Sequence, residues 1–361
     1  MVNVLIGDDV LYNILSRLPG KPLLRFRCVS KHWNRLISDP YLMKMRSRRM
    51  IILPFPRPLV AIDDKAHSMV RIRSPIDHQE EDTRLSLVGT LNNGIVLLSF
   101  YDTDLRCHMI LYNPLTCESK TLVVMDSISH NNHRAPYALG FGDLKIVRLE
   151  FFDYPGRIRY KWDVFDLRTS SWSTPQYLET IFLLTAGFVG VFVNGFLYWS
   201  TLATILAFNV KDMVFSEIRL PRGVDNYMGH LLGSLDGCLC MVTKIGLYRF
   251  SVWLWKLEQH SWKWKKAYSF AFAPKGNVFY PIGVLANGRI LITNSSLELV
   301  IYDASTYSTY MALNDLANPD DIERVCEVFN LRLIDEFNHF NDIRPMEYVE
   351  SLVSPSNMCF I

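Results

Sequence analysis

The sequence predicts two units of different class, α+β as separate domains: a short N-terminal segment of three helices, then an all-β, propeller-like domain. Three observations predict it. Apolar residues follow a helical period only over about the first forty positions. From residue 50 onward, short apolar runs are separated by Asn-Gly and Asp-Gly turn pairs. One strand-end signature then returns with its aromatic or apolar-rich position at 112, 165, 208, 255 and 302, steps of 53, 43, 47 and 47 residues.

The helical segment comes first. Asp8 and Asp9 precede Val10, Leu11, Ile14, Leu15 and Leu18, a spacing that places one apolar stripe on a helix with an acidic cap at its positive end. Pro19-Gly20 stops that helix. Pro22 is expected to open a second, carrying Leu23, Leu24 and Phe26. Ser30 is a suitable N-cap for a third, with Trp33, Leu36 and Ile37 on one face, and Asp39-Pro40 ends it. So small a unit cannot bury all of these side chains in itself. Some of the stripe must meet the next domain or a partner. Lys44, Arg46, Arg48 and Arg49 follow and read as a solvated basic linker.

The run Ile14-Leu15-Ser16-Arg17-Leu18-Pro19-x-Lys21-x-Leu23-Leu24-Arg25-Phe26-Arg27-Cys28-Val29-Ser30-Lys31-x-Trp33-x-x-Leu36-Ile37-Ser38-Asp39-Pro40 resembles the plant F-box motif. The resemblance implies docking on a Skp-type adaptor, and through it a cullin and a RING subunit. It assigns the adaptor contact to Leu11, Ile14, Leu15, Leu18, Pro19, Leu23, Leu24, Phe26, Val29, Trp33, Leu36 and Ile37. The sequence departs from the motif at Ile6-Gly7, where the family has Leu-Pro, and at Pro22, where it has Ser.

The body is built from hairpins. Asn93-Gly94, Asn194-Gly195, Asp236-Gly237 and Asn287-Gly288 each open an alternating run, as in Gly195-Phe-Leu-Tyr-Trp and Gly237-Cys-Leu-Cys-Met. The signature that follows is an apolar pair, Asp or Asn, a turn, and often an aromatic strand. It stands at Leu111-Tyr112-Asn113-Pro114, Phe165-Asp166, Phe208-Asn209 and Tyr302-Asp303, with a degenerate copy at Trp255-Lys256 and an earlier one at Val60–Asp63. An Asp or Asn there starts a turn with its own side chain, and the aromatic after it is expected to fill the space between sheets. A period of 40–50 residues of short strands suits propeller blades, with five units visible and a sixth expected. Gly190–Trp199, Ile205–Asn209, Leu232–Cys240 and the ending Tyr348–Pro355 resemble the plant F-box-associated domain, often called F-box/kelch-repeat. The segment Gly140–Arg148 is shorter than that family's pattern, and no strand carries the Gly-Gly pair of a true kelch repeat. The expected division is 1–45 for the helices, 46–84 for a linker with possible first strands, and 85–361 for the kelch-like propeller. The stretch from Asp320 to Pro345 reads as acidic and partly helical.

Charge and composition narrow the function classes. Hydrophobic residues make up 49% and aromatics 13% of 361 residues, so a large β-rich core is expected. Residues 1–50 hold ten Lys/Arg against three Asp/Glu, +7, and the rest holds 28 against 33, −5. A basic helical unit on a slightly acidic body fits an acidic protein partner better than nucleic acid. Seven cysteines at irregular spacing, with no secretory leader, read as reduced thiols in the cytosol or nucleus. The sequon Asn294-Ser295-Ser296 then carries no glycan, and the absence of a long apolar stretch predicts no membrane span.

No catalytic constellation stands out. His130 and His133 sit in one polar loop, Cys238 and Cys240 alternate on a strand, and neither set reaches the four ligands of a zinc site. A nucleophile elbow and a phosphate loop are both absent. Trp262-Lys263-Trp264-Lys265-Lys266 alternates aromatic and basic residues, which in a strand puts Trp on one face and Lys on the other. The function that the F-box resemblance implies is a non-catalytic one without cofactors: recruitment of a protein target to a Skp-cullin-F-box ubiquitin ligase. Two rivals stay open, a propeller enzyme or carbohydrate-binding protein with a helical cap, and an F-box scaffold outside a ligase. Loops would hold the target, and Asp77–Asp82, with Glu80 and Glu81, is a candidate surface.

Overall fold

The computed structural model describes residues 7–46, 49–53, 59–63, 69–75, 85–125 (except 92, 103 and 105), 138–154, 157–180, 184–224 (except 202), 230–245, 249–258, 261–271, 279–285, 288–294, 299–303, 308–311 and 346–357. The loop Asp77–Asp82, the His130/His133 pair, Ser295 and Ser296 of the sequon, and the stretch from Asp320 to Pro345 lie outside the described residues.

Four helices open the chain, one more than expected: α1 (Asp8–Ser16), α2 (Gly20–Phe26), α3 (Lys31–Ile37) and α4 (Pro40–Arg46). Proline at position 40 ends α3 and also starts α4, because a helix's first residue needs no N–H partner. Asp39 caps the new helix, its Oδ1 accepting from the Tyr41 N–H at 2.9 Å. The second helix begins at Gly20, with Pro19 as N-cap, and not at Pro22. Pro22 sits in its first turn, where a missing N–H costs nothing. Asp8 and Asp9 stand in the first turn of α1 and make no side-chain cap. Ser30 caps α3 as expected, its Oγ accepting from the Trp33 N–H at 3.1 Å.

Among the described residues the strands form five sheets, four of them four-stranded and antiparallel and the fifth of nine strands, in which two blades are joined by one parallel pair, Leu139 with Val189; together they make six blades. Blade 2 runs Leu85–Thr90, Val96–Tyr101, Cys107–Asn113, Glu118–Met125. Blade 3 runs Ala138–Gly142, Lys145–Tyr154, Arg157–Asp166, with Ser171–Trp172 and Gln176–Thr180 sharing its outer position. Blade 4 runs Leu184–Val193, Phe196–Thr201, Thr204–Asn209, Val214–Arg219. Blade 5 runs His230–Leu235, Cys238–Ile245, Arg249–Glu258, Ser261–Ala271, and blade 6 runs Phe279–Val284, Ile290–Asn294, Leu299–Asp303, Ser308–Met311. Blade 1 is composite: Arg49–Leu53, Leu59–Asp63 and Met69–Ile72 follow the helices, and its inner strand is Met346–Val349 from the far end of the chain. That pairing, Met50 with Tyr348 and Ile52 with Met346, joins the two ends of the β domain in one sheet.

The hairpin and signature turns behave as their residues dictate. Asn194-Gly195 and Asp236-Gly237 have φ of +48° and +83°, and +51° and +68°, the left-handed pair a two-residue hairpin needs. In the signature, the fourth residue after Asn or Asp is left-handed too: Cys117, Ser170 and Met213. Packing is by layers between blades. Val96 and Leu98 face blade 1 while Leu97 faces blade 3, so an inner strand reads apolar at consecutive positions. Between blades 3 and 4, the indole of Trp199 is wedged among the inner strands and donates to the Leu139 carbonyl at 3.1 Å. A Cβ on Gly140 or Gly190 would come within 2.6 Å of that ring, so close strand approach there requires glycine.

Candidate docking surface on the helical unit

The helices make a small core of Leu11, Leu15, Leu23, Leu36, Ile37 and Leu42. This divides the twelve residues of the expected adaptor contact. Leu11, Leu15, Leu23, Leu36 and Ile37 are buried inside the unit itself. Leu18, Leu24, Phe26 and Trp33 are half-buried, with Phe26 and Trp33 meeting edge-on at 5.5 Å. Pro19 is exposed, and Ile14 and Val29 are open to solvent at 48% and 60%. Three more apolar residues, absent from the sequence-derived set, are also exposed: Val10 on α1 and Tyr41 and Met45 on α4. Val10 and Ile14 are four apart on α1, as Tyr41 and Met45 are on α4, so each pair shares a helix face. Val10 stood in the helical stripe read from spacing but not in the adaptor set. Tyr41 and Met45 stood in neither, because α4 was not expected.

Polar contacts fix the helices to one another. Tyr12 donates to Asp39 Oδ2 at 2.6 Å, and its ring meets Tyr41 edge-on at 5.5 Å. The Tyr12 hydroxyl and the Tyr41 N–H hold the Asp39 carboxyl below its ordinary range. Asp8 binds His32 Nε2 at 2.9 Å and Arg35 at 3.0 Å, tying the start of α1 to α3. Both pairs are largely exposed and contribute little to stability. Around them Arg17, Lys21, Arg25, Lys31 and Arg35 are exposed, so the unit presents apolar side chains in a basic surround.

The unit is also seated on the propeller. Arg46 was expected in a solvated linker, yet its side chain is 2% exposed and pairs with Glu350 at 3.0 Å. Leu352 packs against the helical core. A Cβ on Gly20 would strike the side chain of Leu115, in the first signature turn of blade 2. That turn holds the C-terminal segment in its grip: Asn113 Nδ2 donates to the carbonyls of Ser351 at 3.1 Å and Val353 at 2.8 Å. Asn113 Oδ1 accepts from the N–H groups of Leu115 at 2.8 Å and Thr116 at 3.2 Å. One side of the helical unit thus rests on the β domain, and another stays apolar and open.

Other sequence-derived candidates fall elsewhere. Cys240 is buried and Cys238 half-buried, so they serve packing. Among the described residues no group of three or more His, Cys, Asp or Glu is placed to hold a metal ion, and no helix is long and apolar enough to cross a membrane. Trp262, expected to fill inter-sheet space, is instead 57% exposed.

A helical module with an open apolar side, carried on a propeller of six blades among the described residues, defines a two-part protein. Comparison with known proteins gives the family. The F-box domain matches residues 6–45, and the F-box associated beta propeller domain matches residues 41–355. The chain belongs to the F-box proteins that carry this associated propeller domain. Among its relatives in Arabidopsis thaliana, "F-box protein At3g07870" is 26% identical, covering 82% of this chain and 84% of that one. "F-box protein CPR1" is 26% identical over 72% of each chain, and "F-box/kelch-repeat protein At2g43445" is 24% identical over 84% of this chain and 78% of its own. Solved structures overlap more loosely. A hypothetical selenium-binding protein from Sulfolobus tokodaii shares 15% identity at a TM-score of 0.40, covering 74% of this chain and 75% of that one. The periplasmic gluconolactonase PpgL of Pseudomonas aeruginosa shares 12% identity at 0.41, covering 73% of this chain and 82% of that one.

Proposed function

We propose that this chain is the substrate-recognition subunit of a Skp-cullin-F-box ubiquitin ligase. The observation that carries the reading is an F-box that leaves Val10, Ile14, Val29, Tyr41 and Met45 exposed while the same unit is anchored to a propeller through Arg46–Glu350 and Leu352. Apolar side chains this exposed gain from a partner, at about 1.5–3 kcal/mol for each large one fully buried. The basic surround complements an acidic adaptor and speeds its approach. The cullin and RING subunit are reached through that adaptor. The propeller holds a target protein, and the target's lysines are thereby raised to a high local concentration near the charged conjugating enzyme. Catalysis belongs to the other subunits: this chain contributes placement, and no nucleophile or cofactor.

The test is co-purification of the full chain with a plant Skp-type adaptor, wild type beside Ile14→Glu/Val29→Glu. Both side chains are exposed, so the variant keeps its fold and its circular-dichroism melt. Adaptor binding is expected to fall at least about tenfold, since two apolar contacts are replaced by charges that would have to be desolvated. Retained binding by the double variant would place the docking face elsewhere. Truncating the helices is the poorer experiment, because it leaves the buried Glu350 carboxylate without Arg46. Leu15→Ala is also unsuitable: Leu15 is fully buried, so the variant reports on folding.

A further inference from the structure

The outer hairpin of blade 5 differs from the other blade edges. Its two strands, Arg249–Glu258 and Ser261–Ala271, are ten and eleven residues long, while the inner strand Cys238–Ile245 pairs with the first of them only from Arg249 to Leu254. The end of the hairpin, Trp255–Glu258 against Ser261–Trp264, therefore continues past the rest of its sheet. Ser261–Ala271 is an edge strand, paired among the described residues with Arg249–Glu258 alone. On one face of this end lie Trp255, Leu257, Trp262 and Trp264. Leu257 and Trp262 stand directly opposite each other and are 58% and 57% exposed. Trp255 stacks on Trp262 with centroids 6.1 Å apart and planes at 13°, and it meets Trp264 at 5.2 Å. The indole of Trp264 is fixed by donating to the Arg219 carbonyl of blade 4 at 2.8 Å. On the opposite face Lys256, Lys263 and Lys265 form a row, with Lys265 held by Glu258 at 3.3 Å. Lys266 falls on the tryptophan side, over the ring of Trp253 at 5.7 Å.

Lysine on an edge strand commonly guards against unwanted strand pairing. Guarding does not explain a solvent-facing Trp-Leu pair on the same edge, which invites contact. Nor does it explain a basic row on a body whose net charge beyond residue 50 is −5 (28 Lys/Arg against 33 Asp/Glu). The geometry also selects the kind of partner. A nucleic-acid strand would have to stack bases on the tryptophans and bring phosphates to Lys263 and Lys265, which point the other way. A polypeptide strand reaches both faces at once, because its side chains alternate in the same period as those of the edge it joins.

We propose that this hairpin is where the target protein docks, and that the target presents an extended segment alternating apolar and acidic side chains, which adds as a further strand to Ser261–Ala271. Apolar residues of the segment lie on the Trp255/Trp262/Leu257 shelf, and its carboxylates lie along Lys263 and Lys265. The proposal rests on the substrate-receptor reading for its biological meaning, whereas its binding test does not depend on the adaptor.

The experiment uses the full chain and a fluorescent decapeptide alternating valine and glutamate, followed by anisotropy at low salt. Three comparison probes are a peptide of the same composition in two blocks, an alternating valine-lysine peptide, and an oligothymidylate. The alternating acidic peptide is expected to bind, and the three others at least about tenfold more weakly. The Trp262→Ala/Lys263→Glu/Lys265→Glu chain, altered only at exposed positions, is expected to lose at least about tenfold for that peptide and to keep its thermal melt. No binding of the alternating peptide, equal binding of the block peptide, preference for the oligothymidylate, or an unchanged affinity in the triple variant each overturns the proposal. Adaptor co-purification, read on the same samples, separates the two readings. Its loss in wild type refutes the ligase assignment and leaves the peptide result standing, and its retention with peptide binding absent refutes only the docking site.

Discussion

Asn113→Ala should open the seam that joins the chain's two ends. Asn113 is fully buried and its amide makes four hydrogen bonds, two of them local and two to carbonyls 238 and 240 residues away. Two of its partners, the Leu115 N–H and the Ser351 carbonyl, belong to buried residues and would be left without water or protein to bond. Each such orphan costs about 1–3 kcal/mol, and each of the other two bonds contributes about 0.5–1.5 kcal/mol, so the loss is about 3–9 kcal/mol. That is a large share of the about 5–15 kcal/mol that stabilises an ordinary domain. Asn209→Ala is the control. Asn209 occupies the same signature position, and it makes the same local bonds, to the N–H groups of Lys211 and Asp212 at 3.0 Å each. Its amide reaches only the neighbouring Asp212 carboxylate, at 2.7 Å in an exposed setting, so its loss should stay near 1 kcal/mol. Urea unfolding gives the two totals. Amide hydrogen exchange read by mass spectrometry should show protection lost first at residues 346–353 and 49–53 in the Asn113 variant. A drop below about 1 kcal/mol for Asn113→Ala, or one equal to that of Asn209→Ala, would refute the seam as the source of stability.

Two further outcomes follow from buried charge and buried sulfur. Asp163 is buried on blade 3 and forms a two-pronged pair with Arg148, directly across the ladder, while Arg148 also lies over the Trp172 ring at 4.5 Å. Removing the carboxylate with Asp163→Ala should cost about 3–5 kcal/mol in chemical denaturation, and Arg148→Leu/Asp163→Leu should recover most of it, because the orphaned charge is the costly state. Burial pushes the thiols of Cys107 and Cys240 up to about 12, while Cys28 and Cys117 are exposed. Iodoacetamide at pH 8 should therefore modify Cys28 and Cys117 in the native chain and leave Cys107 and Cys240 untouched until denaturant is added. On the proposed adaptor contact, bound adaptor should protect Cys28, which neighbours the exposed Val29, and peptide mass mapping reads all of this.

The local signals were legible in the sequence because each acts within a few residues. Ser30 caps α3 through a hydroxyl three residues from the N–H it meets. Asn-Gly and Asp-Gly fix their hairpins by their own tolerance of positive φ. The Asn/Asp turn marks the blades at Asn113, Asp166, Asn209 and Asp303, while the degenerate copy at Trp255-Lys256 falls inside a strand and marks no turn, and the F-box run identifies the helical unit. Helix ends were less legible. Pro22 and Pro40 are each compatible with a helix start, and only packing decides which position takes that role.

Tertiary structure alone decided which side of the helical stripe is open. Leu15 and Ile14 are adjacent and equally apolar, yet one is at 0% and the other at 48% exposure, because burial depends on where the neighbouring helices lie. It also decided that Lys44 and Arg46 of the basic run belong to a helix while Arg49 opens a strand, with Arg46 buried on Glu350, a contact across 304 residues. The same holds for the closing strand Met346–Val349 and for the exposure of Trp262 on the blade 5 hairpin, whose two faces the alternation had already separated. Periodicity states that a residue is apolar and on which face of its own element it falls. What covers that face is set by chain segments brought close only when the ring of blades has closed, and no spacing in the sequence encodes that distance.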